Sequence, residues 1–292
     1  MQLAHLLQLM FLAAIWGGSF LFMRMAVSAF GPVMLIESRV ALAALFLLVV
    51  SYFLKRNLAL LSHWKHYCIV GLLNTALPFL LIAYAAQTLT ASLLSVLNAT
   101  SPIWGAVIGL FWARKRPSAA LIVGLILGIT GVASLVGLDT SILNSDAAFA
   151  IFAAISAAFS YGLASVYTQN TRVKIQPFNN AHGSMWAATL IMLPLAWVFP
   201  LNSVPTPLLI NAVIALGILC TGVAYLIFFK LINEIGGPAA LSVTFLVPLF
   251  GILWGHLFLG EPIGWHTLMG TALILTGTSL VTGFRLSVLR LK

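Results

Sequence analysis

The sequence predicts an all-α integral membrane protein whose ten transmembrane helices form two inverted five-helix repeats. Three observations carry this prediction. Hydrophobic residues make up 62% of the 292 residues and charged residues 7%, whereas a soluble domain is about a quarter charged. The second half repeats the first at a spacing of 146 residues: Gly71, Gly105, Gly109, Gly124, Gly131 and Gly137 fall on Gly217, Gly251, Gly255, Gly270, Gly277 and Gly283, and Pro102 falls on Pro248. Chance would match about one glycine at a chosen shift. Finally, the basic residues occupy alternate connections between the apolar runs, which gives each run a direction.

Ten runs are each long enough to cross a hydrocarbon core of about 30 Å. In the first half they cover 5–27, 33–54, 67–87, 90–112 and 118–138. The second half supplies 147–168, 180–200, 208–232, 239–259 and 265–284. The first run has no basic leader and is longer than the core of a cleaved signal, so it is expected to stay as a span. Pro32 precedes the second run, and Lys55, Arg56 and Lys65 separate it from the third. Arg114, Lys115 and Arg116 part the fourth from the fifth, and Arg172 and Lys174 part the sixth from the seventh. Lys230 ends the eighth, and Arg285, Arg290 and Lys292 follow the tenth. Those twelve of fourteen basic residues share one side, and the opposite connections carry only Asp139, Asp146 and Glu261. The basic side is therefore expected to be cytoplasmic, with both termini on it.

Five spans per repeat is an odd number, so the second repeat enters from the opposite face. The expected units are 1–140, 147–284 and a cytoplasmic tail 285–292, joined on the outside through Asp139–Asp146. Inverted repeats support two near-equivalent conformations, each open to one face, around a midplane site. The net charge of +9 sits in short loops and points to topology, not to nucleic acid. Cys68 and Cys220 lie in apolar runs and lack metal-ligand spacing. No paired acidic motif, metalloprotease His/Glu cluster or phosphate-cradling loop is present, so no enzyme activity, metal or cofactor is expected.

The fourth run holds Ser95, Asn98, Pro102, Gly105 and Gly109 near one helical face; the ninth holds Thr244, Pro248, Gly251 and Gly255. Each proline removes a backbone donor and frees the carbonyl four residues earlier, here those of Asn98 and Thr244. In hydrocarbon such groups need a partner. The functional reading is a pair of kinked, gating helices lining a cavity; the alternative is a small-residue packing face. Trp16, Tyr84, Trp104, Tyr161, Trp186 and Trp254 lie deep, where an indole N–H needs a partner. Arg24, Glu37 and Arg39 are the charges within the first two runs, a functional signal by default. Glu37 and Arg39 do not face each other at a two-residue spacing, so Glu37 is expected to pair with Arg24. His182 and His256 read as hydrogen-bonded helix residues.

These positions give an expected solute site near mid-depth between Trp16, Ser19, Tyr84, Ser95, Asn98, Trp104, Tyr161 and Thr244. A strongly anionic solute is disfavoured on this reading, because no basic residue is expected to reach the midplane. The fifth and tenth runs, with Gly124, Gly128, Gly270 and Gly277, are expected outside the cavity. They offer either a homodimer contact or packing within one chain.

The residues resemble the EamA family of the drug/metabolite transporter superfamily over the whole length. The echoes are Ala14-Ile15-Trp16-Gly17-Gly18-Ser19-Phe20, Pro32 followed by Arg39, the stretch Ser95 to Pro102, and Leu259-Gly260-Glu261-Pro262. The resemblance implies a carrier in the bacterial inner membrane that exports amino acids, their relatives or organic cations. A proton or other ion gradient is then a candidate energy source. It also implies that spans five and ten are peripheral. Uptake or exchange of a larger metabolite, and a non-transporting scaffold or lipid enzyme, are the alternatives. Family members often carry an acidic residue after span four, where this chain has Arg114-Lys115-Arg116-Pro117; a turn role for Glu261 follows.

Overall fold

The structure is a computed structural model that describes residues 3–55, 60–114, 116–137, 145–173 and 175–283. The connection through Asp139, the basic positions Arg56, Lys115 and Lys174, and the tail lie outside the described residues. The described chain is helical, as hydrocarbon demands, because a helix satisfies its own backbone groups. Apolar side chains such as Phe111, Phe152 and Trp197 cover the outer surface, while alanines, glycines and leucines fill the interior.

Spans one and two form one helical run, α1 (Leu3–Phe53), broken only at Gly31. Fifty-one residues would reach about 75 Å if straight, over twice the hydrocarbon thickness, so the run must fold back. Gly31 does this with φ 69 and ψ 158, a region essentially reserved for glycine. The corner is capped from the second half: the Ala29 carbonyl accepts from Asn202 N–H (2.9 Å) and Ser203 N–H (3.1 Å). The two arms touch, since an Arg39 N–H reaches Met23 Sδ at 3.5 Å.

Span three is α2 (Leu60–Gly71), a π-helical stretch Leu72–Ala76 and α3 (Leu77–Ala85). Span four is broken into α4 (Ala91–Asn98) and α5 (Ser101–Trp112), and span five is α6 (Ala119–Gly137). The second half follows with α7 (Ser145–Asn170) and α8 (Pro177–Val198). Span eight is α9 (Pro207–Ile214), a π-helical stretch Ala215–Val223 and α10 (Ala224–Ile235). Span nine is a short α11 (Gly237–Ala240) and α12 (Val243–Leu259), and span ten is α13 (Trp265–Thr282). The π stretches overlap in their repeats: the first follows Gly71 and the second contains its mate Gly217.

The helix contacts are reciprocal between the halves. A Cβ on Gly17 of span one would lie 2.9 Å from Gly251 N of span nine, and one on Gly162 of span six 2.7 Å from Gly105 N of span four. A Cβ on Gly71 of span three would lie 2.7 Å from the Ser184 carbonyl of span seven, and one on its mate Gly217 would lie 2.9 Å from the Arg39 carbonyl of span two. Spans five and ten close on each other in the same way: an added Cβ on Gly124 would lie 2.7 Å from the Gly277 carbonyl, and one on Gly131 2.9 Å from the Gly270 carbonyl. Without a hydrophobic force between helices in lipid, such close backbone approach is what packs them. The small-residue faces of spans five and ten thus pack on each other within one chain, the second of the two readings the sequence offered.

Candidate functional site

The site is built where the two π stretches meet α1. A π turn inserts one extra residue and re-aims the side chains around it. It presents Asn74 and Thr75 in span three and Cys220 and Thr221 in span eight. Arg39 enters from span two, eight residues past Gly31 and so about 12 Å along its axis from the outer corner, near mid-depth. Its Nε–H donates to Thr221 Oγ1 at 3.0 Å, and its Cζ lies 3.6 Å from the centroid of the Phe79 ring. Thr221 in turn donates to the Leu216 carbonyl at 2.9 Å. The hydroxyls of Tyr161 and Tyr225 and the Cys220 thiol lie within electrostatic reach of the guanidinium. The Asn74 side chain lies beside Tyr225. Spans one, two, three, six and eight therefore converge on one cation. Asn74, Tyr161 and Tyr225 keep partly accessible surface although they lie inside the fold.

Arg39 is 4% exposed, whereas the sequence expectation had it only approach the midplane from outside. The hairpin at Gly31 packs span two against span one, and this intramembrane charge lies inside the fold. The expected pair of Glu37 with Arg24 does not form either. Arg24 instead donates to the carbonyls of Ala86 (2.6 Å) and Gln87 (2.7 Å), capping the end of span three. Glu37 is buried, and its Oε2 has no hydrogen-bond partner.

The other expected residues divide. Trp16 is half-buried and packs on Phe228 with ring centroids 5.2 Å apart; Ser19 donates to the Trp16 carbonyl at 2.6 Å. Tyr161 joins the Arg39 cluster. Tyr84, one residue from the end of α3, is 48% exposed and lies apart from it. Ser95 is fully buried, donates to the Ser92 carbonyl (2.8 Å) and fills the space beside Gly251. Trp104 packs edge-on against Phe159 at 5.6 Å, and Gly105 against Gly162. Thr244 donates to the Leu241 carbonyl at 2.8 Å in the first turn of α12.

Of the two proline-freed carbonyls, that of Asn98 is taken up within the chain. At the break ahead of Pro102, Thr100 Oγ1 donates to the Leu97 carbonyl (2.7 Å), Ser101 Oγ to that of Asn98 (2.5 Å) and Thr278 Oγ1 to that of Ala99 (3.1 Å). In the second half the break falls earlier, at Leu241–Ser242, and Pro248 lies inside an unbroken α12. Asn98 Oδ1, by contrast, is buried without a partner. Two of the four deep indoles are satisfied internally: Trp254 Nε1–H donates to the Ala14 carbonyl (2.9 Å) and Trp186 Nε1–H to His182 Nε2 (3.0 Å).

Sequence reasoning missed Asn74, Phe79, Thr221 and Tyr225. A signal existed: at the same 146-residue shift Thr75 falls on Thr221 and Phe79 on Tyr225. The repeat is broken at Arg39, whose counterpart is Met185.

An inverted pair of five-helix units converging on a buried polar cluster defines a membrane carrier. Comparison with known proteins agrees. The EamA-like transporter family matches the chain twice, over residues 4–137 and 148–283, and the chain belongs to that family. It is 26% identical over 286 residues to YvbV of Bacillus subtilis, an uncharacterized transporter, covering 94% of this chain and 90% of that one. It is 27% identical over 219 residues to YicL of Salmonella typhimurium, an uncharacterized inner membrane transporter, covering 74% and 71%. A solved crystal structure shares the fold, with a TM-score of 0.67 over 96% of each chain at 16% identity.

Proposed function

We propose that this protein is a secondary transporter of the inner membrane that exports small metabolites by alternating access, with both termini in the cytoplasm. The observation that supports it most is the reciprocity of the helix contacts. Spans one on nine and six on four, and three on seven and eight on two, are the same contacts made twice by oppositely inserted units. Exchanging the shapes of the two units converts one opening into the other. Family membership supports transport, similarity to the inner membrane transporter YicL supports the inner membrane, and the twelve basic residues on one side support the orientation. Export follows from the family resemblance. The solute is expected between Trp16, Tyr161, Asn98 and the Arg39 cluster, and a scaffold or lipid enzyme would need neither exchangeable halves nor such a cluster.

The test needs no known solute. In a background lacking Cys68 and Cys220, Asn74→Cys should react with a membrane-impermeant thiol reagent from outside in intact cells and from inside in inverted vesicles. Cross-linking His5→Cys to Glu234→Cys, which replace a contact of 3.4 Å between spans one and eight, should suppress the inside reaction alone. Reaction from one face only, whatever the cross-link, would overturn alternating access.

A further inference from the structure

We infer that Arg39 is the anchor for a carboxylate, so that the solute moved by this chain is a small organic acid or amino acid. This rests on the transport reading and names the solute class for the same site. It also reverses the expectation, drawn from sequence, that an anion is disfavoured.

The argument is one of charge accounting. A cation taken out of water costs several kcal/mol unless it is paired, and Arg39 has no ion-pair partner among the described residues. Each described acid is elsewhere. Glu261 is bonded to Ala91 and Ser92, and Glu234 lies with His5 and Lys230. Asp146 sits in the first turn of α7 at the outer end of span six. Glu37, on the same helix, makes no ion pair. A guanidinium has five N–H donors, and the contacts made here use one for the Thr221 hydroxyl and one for the weak acceptor Met23 Sδ. Phe79 covers one face, which fixes the plane and leaves the donor edge for a planar two-oxygen partner.

The surroundings fit the rest of such a solute. Tyr161 and Tyr225 offer hydroxyls beside the cation, and the Trp16–Phe228 pair offers an apolar wall. An organic cation is repelled by a fixed charge that no ion pair among the described residues neutralises. Because the repeat mate of Arg39 is Met185, buried and apolar, the chain carries one such anchor and not two.

Matched probes separate the groups. Purified full-length protein is titrated with L-leucine, 4-methylpentanoate and 3-methylbutylamine, and with L-phenylalanine, 3-phenylpropionate and 2-phenylethylamine, and Tm is followed. Binding to the native state raises Tm. At least one acid or amino acid should do so, and its matched amine should not. Arg39→Gln should weaken the acid by about tenfold to a hundredfold, the range for a hydrogen bond to a charged group, and Arg39→Lys by less. Should Arg39→Gln fail to fold, Thr221→Val, which keeps the charge but unpins it, should still weaken the acid severalfold while leaving any amine response unchanged. The proposal is overturned if no acid raises Tm, if amines bind and acids do not, or if the variants bind acids as the wild type does. None of those results touches the two-sided accessibility of Asn74→Cys, so failure here is distinct from failure of the transport reading.

Discussion

Glu261 Oε2 accepts from both the hydroxyl and the backbone N–H of Ser92, and Oε1 accepts from Ala91 N–H at 2.7 Å. A carboxylate placed after span nine thus caps the first turn of α4 in the other half, where free N–H groups and the helix dipole favour negative charge. The turn that carries it is held by Gly260 at φ 66 and by His256 Nδ1 against the Glu261 carbonyl at 2.9 Å. Glu261 is therefore part of the scaffold.

Glu261→Ala should lower stability by about 1–3 kcal/mol, the range for leaving buried donors unsatisfied. Glu261→Gln, which keeps one acceptor, should lose less. Thermal unfolding in detergent checks both, and an unchanged Tm for the alanine variant would refute the capping role.

Gly31→Ala should be among the most damaging small substitutions in the chain. Its φ and ψ admit essentially glycine, a strain of about 1–3 kcal/mol for another residue, and a Cβ would also approach Asn202 Oδ1 at 3.1 Å. Folded yield and Tm should both fall. A variant as stable as the wild type would mean that the corner is not formed this way.

Gly131→Ala and Gly270→Ala should destabilise to similar extents, about 1–3 kcal/mol for overpacking, because each added Cβ meets the other residue's carbonyl (2.9 and 2.8 Å). Gly237→Ala, with open space around it, should be neutral. Equal Tm values for all three would sink the reading of spans five and ten as a tight contact.

Asn98→Leu should abolish transport while keeping or raising Tm, since it removes a buried acceptor that has no partner. Uptake of the acid probes into proteoliposomes, read beside Tm, tests this; wild-type uptake by both Asn98→Leu and Trp16→Ala would place the site elsewhere.

Cysteines introduced within 141–145 should be labelled from outside, and those within 114–116 only after permeabilisation. The opposite pattern would invert the topology.

The ten spans were readable from sequence because length and apolarity suffice for a helix in lipid, and the matched glycines revealed the repeat. Depth was harder. Arg39 was legible as an intramembrane charge, but a linear sequence does not show that Gly31 folds span two against span one and so buries it. Tyr84 read as deep because its apolar run continues past the residue where α3 ends. Ser95, Gly105 and Gly251 read as cavity-lining because packing faces and cavity faces share the same small residues. The π stretches leave no compositional mark, so Asn74 and Tyr225 were hidden; their register changes by one residue only once tertiary contacts form.

The contact between spans five and ten has a symmetry with its own consequence. Gly124 touches Gly277 and Gly131 touches Gly270, and each residue is the other pair's counterpart 146 positions on. That is the defining pattern of an isologous interface, in which residue i meets j and j meets i. A half-chain ending after span five already holds both surfaces. Joining the two halves in one polypeptide adds effective concentration and a fixed orientation to this contact rather than a new surface. The full chain thus holds, within one polypeptide, the contact pattern of an antiparallel pair.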